Sequence, residues 1–124
     1  IKNNINLNTH INKNLSFENI DEYDLVTLFT NVLSNAFEAA LESKKKEINI
    51  HIDKINNFIV VKVSNSYNNK IEIKDNTYTS TKEGHKGHGI SNSIDVIQKY
   101  MGTYSIHYEE NIFTFQFMLP DQII

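Results

Sequence analysis

Three observations predict a two-layer α/β sandwich in which a mixed, mostly antiparallel sheet carries helices on one face. The sequence holds two amphipathic helical patterns, about five strand patterns of alternating hydrophobicity, and turn-like residues between consecutive strands. A doubly wound parallel fold needs more helices than these. At 124 residues the chain fits one domain, 1–124, large enough to hide roughly two thirds of its unfolded surface.

The elements follow in order. Residues 5 to 11 alternate, with Ile5, Leu7 and Ile11 on one side, and predict a first strand; "NKNLSFENI" reads as a loop. In "DEYDLVTLFTNVLSNAFEAALESKKK" the residues Leu25, Leu28, Phe29, Val32, Leu33, Ala36, Phe37 and Ala40 recur at helical spacing. Asp21 and Asp24 near the start and lysines at the end suit the helix dipole. "EINIHID" and "FIVVKVS" alternate and, joined by Asn56-Asn57, predict a hairpin. Residues 65 to 88 are polar with little periodicity and predict a long loop without regular structure, the natural lid of a site. Ile90, Ile94, Ile97 and Met101 mark a second helix that Gly102 ends. "TYSIHYE" and "IFTFQFML" are the last strands, with Phe113, Phe115, Phe117 and Leu119 on one face and Thr114 and Gln116 on the other.

Composition excludes several classes. Hydrophobic residues are 40% and charged residues 22% of the chain, in the globular range. No cysteine is present, which rules out disulfides and thiolate metal sites. A net charge of −3 argues against direct nucleic-acid contact. No apolar run is long enough to cross a bilayer and the N-terminus lacks a signal-peptide pattern, so a soluble piece without membrane contact is expected; it opens on a strand pattern without Met and reads as excised from something longer, and the lack of cysteine fits a reducing, cytoplasmic location.

Two constellations carry chemistry. Asn31, Asn35, Glu38 and Glu42 form one stripe of the long helix, opposite the apolar one. This is either a solvated face or a ligand set, since amide oxygens suit a hard cation such as Mg²⁺ and asparagine is a mediocre helix former. Gly84, Gly87 and Gly89, three of the four glycines, stand just before the second helix, where backbone N–H groups and a helix N-terminus can hold a phosphate, with Lys82 and Lys86 nearby. A plain glycine hinge is the alternative. Neither a P-loop nor Gly-x-Gly-x-x-Gly is present.

"LFTNVLSNAFEAAL" resembles the N-box, and "STKEGHKGHGISNSIDVIQKY" the lid end and second glycine box, of the GHKL ATPases; "NIFTFQFMLP" is similar to their final strand. Within that superfamily the chain looks most like the ATP-binding catalytic domains of sensor histidine kinases of the accessory-gene-regulator type, which answer peptide signals in quorum sensing. The resemblance implies the Bergerat fold with a flexible ATP lid over about 66–88, and ATP and Mg²⁺ as cofactors. It implies that Asn35 ligates Mg²⁺ and Asn31 supports the metal or its waters. Thr81, Lys82, Gly87, His88, Gly89 and Ile90 would line the nucleotide, Asn65 would read the adenine amino group, and Thr114 would face the adenine floor.

The pattern departs at Asn65, where most relatives carry the aspartate of a first glycine box; a neutral amide is a weaker acceptor and implies modest ATP affinity. The γ-phosphate would pass to a histidine on a separate dimerisation domain, upstream of this fragment, with a response regulator downstream and an integral membrane sensor as parent. The isolated chain is expected to bind ATP without autophosphorylating. The competing readings are a GHKL serine kinase or anti-sigma factor, an ATPase, or a degenerate interaction module. His85 and His88 make an H-x-x-H pair with no third ligand nearby, while His10, His51 and His107 read as cross-strand residues rather than ligands.

Overall fold

Asp21 starts the first helix, α1 (Glu22–Leu41): its carboxylate accepts the backbone N–H of Tyr23 at 3.2 Å, satisfying one of the donors every helix start leaves open. The computed structural model describes residues 4–68, 71–74, 77–80 and 88–121, with side chains over 4–68 and 90–121. Leu28, Val32, Ala36 and Ala40 recur every four residues on α1 and are buried. The helix ends at Leu41, before Lys44 to Lys46, so those lysines lie beyond its last turn. Ser43 ends it: its backbone N–H and hydroxyl both donate to the Ala40 carbonyl, at 3.0 and 2.8 Å.

The main sheet has the order β1-β2-β3-β7-β6, with β1 (Asn6–Ile11), β2 (Glu47–Ile55), β3 (Phe58–Ser66), β6 (Thr103–Glu109) and β7 (Ile112–Pro120). β1 runs parallel to β2, as a strand–helix–strand crossover through α1 requires, and the other neighbours are antiparallel. Ile48 and Ile52 of β2, Ile59, Val61 and Val63 of β3, and Phe113, Phe115, Phe117 and Leu119 of β7 are buried together with α1 and α2 (His88–Lys99). Phe117 anchors this core, its ring 6.0 Å from Phe29 of α1 and 5.8 Å from Phe115. Burying each large apolar side chain contributes about 2 kcal/mol. The opposite sheet face carries Asn49, His51, Lys62, Ser64, Thr114 and Gln116. β1 is exposed along its whole length, Leu7 at 48% and Ile11 at 52%, because it is an edge strand that α1 does not cover.

Two expectations need correction, and a third, that Gly102 ends α2, holds by an unexpected route. The segment 65–88 is not devoid of regular structure: β4 (Ile71–Lys74) and β5 (Thr77–Ser80) pair as a separate antiparallel hairpin, in register from Ile71 opposite Ser80 to Lys74 opposite Thr77. Four-residue strands are too short to show a convincing period. Ser66, expected at the mouth of the lid, ends β3 and is buried. The C-terminus of α2 is a Schellman motif in which Gly102 N–H reaches the Ile97 carbonyl at 2.8 Å and Met101 N–H the Gln98 carbonyl at 3.0 Å. Met101, not Gly102, takes the left-handed conformation, at φ 63°. Gly102 is needed for space: a Cβ there would stand 2.3 Å from the Met118 carbonyl oxygen.

Candidate functional site

The polar flank of α1 sits about a quarter turn from the centre of its buried stripe, by the 100° per residue of an α-helix. Asn31, Asn35 and Glu38 are therefore half-buried, with only Glu42 exposed. The solvent face lies farther round, at Tyr23, Val26, Thr30, Ser34 and Leu41. The stripe is thus beside the apolar one rather than opposite it, because the sheet and α2 cover α1 from two directions.

Asp24 lies on this same flank, two turns before Asn31, and is buried against the end of α2. Its Oδ2 accepts from Lys99 Nζ at 2.7 Å and from the Tyr100 hydroxyl at 2.5 Å; the Tyr100 oxygen in turn accepts the Asp21 backbone N–H at 3.1 Å. The Lys99 and Tyr100 hydrogen bonds, in that order, hold the Asp24 carboxyl below the usual carboxylate value. The same Asp24 contact raises Lys99 and, with burial, Tyr100. Since the last residues of α2 meet the first turn of α1 and the two helices pack along one another, α2 runs back antiparallel to α1. That directs its N-terminal end, His88 to Ile90, toward the Asn31–Asn35 half of α1.

The end of β3 arrives at the same place. Ser66 Oγ lies 2.6 Å from Ser43 Oγ, just past α1, and accepts the Glu47 backbone N–H at 2.9 Å. Asn68 Nδ2 donates to the Glu42 carbonyl at 3.2 Å. Asn65, 2% exposed, stands on the helix-facing side of the sheet opposite Ile48 and Phe113. Its Nδ2 donates to the Ser66 carbonyl at 3.0 Å, which leaves the carboxamide oxygen as its acceptor for a ligand. Next to it the Tyr67 ring meets Tyr108 edge-on, centroids 6.5 Å apart, and burial pushes the Tyr67 hydroxyl up from its ordinary value, with Tyr108 adding to the shift.

The structure thus brings Asn31, Asn35, the start of α2 and Asn65 to one end of the helix pair. It does not bring Thr114 with them. Side chains alternate along a strand, and Phe113 is the β7 residue that shares a face with Asn65. Thr114 is on the far face, where its hydroxyl lies 3.1 Å from that of Ser64. The sheet separates the two residues expected to hold adenine. Thr81, Lys82 and Gly87, with Gly84, His85 and Lys86, lie outside the described residues. His88 and Gly89 form the first two positions of α2, and Ile90 is buried. Sequence reasoning missed the Asp24–Lys99–Tyr100 cluster and the Ser43–Ser66 pair; both join residues far apart in the chain, and no local pattern signals them.

A family model described as GHKL domain matches residues 20–120. The probable C4-dicarboxylate sensor kinase of Bacillus subtilis (strain 168) is 26% identical over 108 residues, covering 78% of this chain. The chain spans only 20% of that relative. Among solved structures, the catalytic domain of histidine kinase ThkA in a nucleotide-free form is similar at a TM-score of 0.73 and 21% identity, over 96% of this chain and 80% of that one. Full-length ShkA in complex with AMPPNP is similar at a TM-score of 0.68 and 14% identity, over 95% of this chain and 26% of that one. These likenesses extend to the whole fold described above.

Proposed function

The chain belongs to the GHKL domain family, and on that premise we propose that it is the ATP-binding catalytic domain of a two-component sensor histidine kinase. It holds Mg-ATP so that the γ-phosphate passes to a histidine on a separate dimerisation domain, from which a response regulator is served. The observation that carries this reading is the convergence of the α1 amide flank, the N-terminal end of α2 and the buried Asn65 at one end of the fold.

The residues present fit a magnesium nucleotide. Asn35 offers a hard, neutral oxygen donor on a half-buried helix flank, and Asn31 sits one turn earlier to hold the ion's waters. Thr81, Lys82, Gly87, His88, Gly89 and Ile90 would line the phosphates, with the open N–H groups of the α2 start directed to negative charge. Asn65 would accept from the adenine amino group, and Thr114, on the far face of the sheet beside Ser64, takes no part. The bound nucleotide supplies the transferred phosphoryl group, and the protein's part is positioning and charge neutralisation. Asn31 has no carboxylate with which to activate water, so the site favours holding ATP over hydrolysing it. We assign the chain to the accessory-gene-regulator type, with a parent in the membrane, on the wording of its N-box and second glycine box.

Calorimetric titration with an unhydrolysable ATP analogue, with and without Mg²⁺, tests the reading. The expected result is Mg-dependent binding that Asn35→Ala removes. Absence of binding at millimolar analogue would overturn it in favour of a degenerate interaction module, the outcome that the neutral Asn65 favours.

A further inference from the structure

On the sheet face away from the helices, the parallel register of β1 and β2 sets His10 beside His51, their rings stacked with centroids 4.6 Å apart and 20° between planes. Asp53 follows two residues along β2, on the same face, with Oδ2 3.9 Å from His51 Nε2. Among the described residues these three offer one donor atom each within 4.8 Å of one another. We propose that His10, His51 and Asp53 form a binding site for a zinc-like divalent transition-metal ion, separate from the nucleotide site.

Two imidazole nitrogens and a carboxylate oxygen are the donor set of zinc, copper or nickel rather than of magnesium. Zinc bonds of about 2.0–2.1 Å place tetrahedral donors about 3.3 Å apart, so binding would turn the two rings out of their present stack until both lone pairs point at the ion. The carboxylate is already oriented for this. Asp53 Oδ1 accepts from Asn12 Nδ2 at 2.9 Å and from the Lys54 backbone N–H at 2.8 Å, which keeps Oδ2 for the ion, as outer hydrogen bonds do in metal sites. Three protein donors leave a coordination position open. Beside them lies a cavity of about 440 Å³ lined by Asn49, His51, Lys62 and Ser64. Lys62, opposite His51 in register, is a like charge that weakens the site for a bare cation and favours an anionic fourth ligand. The bound ion would fasten the exposed edge strand β1 to β2.

The test is zinc titration of the 124-residue chain by calorimetry and by thermal unfolding. One ion should bind and raise the melting temperature. His10→Ala, His51→Ala or Asp53→Asn should each weaken binding at least about tenfold and abolish the thermal shift, and Asn12→Ala should weaken it about tenfold. His107→Ala and the His85→Ala/His88→Ala pair should bind as the parent does. Zinc binding that survives His51→Ala, that disappears in the His85→Ala/His88→Ala variant, or that is absent from the parent chain would overturn the proposal.

Discussion

At the start of the α1 flank Asp24 is surrounded by partners, whereas two and three turns farther along Asn31 and Asn35 are neutral amides, half-buried beside the start of α2. The first end brings a charge, an ammonium and a phenol into one cluster and fixes the helix pair. The second end keeps groups whose bonding capacity suits a guest. On the proposed reading, polarity on one stripe of one helix serves two purposes: at the first end the protein supplies the partners itself, and at the second a bound nucleotide would.

The most severe way to test this division is to remove what both ends rest on. Leu28 is fully buried between Asp24 and Asn31, and Leu28→Ala should cost about 3 kcal/mol of stability in urea unfolding, with nucleotide affinity falling only as the unfolded fraction grows. Asn35→Ala should behave the opposite way. Calorimetry should show Mg-dependent affinity down about 100-fold, the upper end of losses at a metal site, while stability stays within about 0.5 kcal/mol. If Asn35→Ala instead unfolds the chain, the amide end is structural and the contrast fails. Gly102→Ala should cost about 2 kcal/mol, measured by thermal melting, because its new Cβ meets the Met118 carbonyl. Met101→Gly, one residue earlier, should stabilise by about 1 kcal/mol by relieving a left-handed methionine.

The finest effect concerns the charged end. The folded-state Asp24 carboxyl lies below its ordinary value of 3.8, so its contribution is present above that value and is lost as pH falls through the folded one. Lys99 is raised above 10.5, so its contribution is present below that value and is lost as pH rises through the folded one. Asp24→Asn should flatten the acid limb of a stability–pH curve, and an unchanged limb would place the acid sensitivity elsewhere.

Much of this was legible in the sequence because it depends on local periodicity. The α1 pattern, the β2–β3 hairpin and the alternation of Phe113, Phe115 and Phe117 all stand in the structure at the expected places. The family, too, could be read from the two motif stretches together. The illegible parts are those that long-range register decides. Thr114 was placed on the correct side of its own strand, yet its separation from Asn65 follows from pairing Asn65 with Phe113, residues 48 positions apart in register. The half-burial of the amide flank depends on where α2 comes to lie, which helical spacing alone does not encode. β4 and β5 escaped notice for the opposite reason, being too short for any period to accumulate.

The segment from residue 67 to residue 87 is joined to positions that other contacts already fix. β3 is held by β2 and β7 on either side, and α2 by the Asp24 cluster at its far end. Doubling the length of such a connection costs only about 0.6 kcal/mol of closure entropy. Changes of length between β3 and Thr81 can therefore accumulate across generations while the sheet and helix pair stay unaltered, which sets this stretch apart from the phosphate-lining residues proposed to follow it.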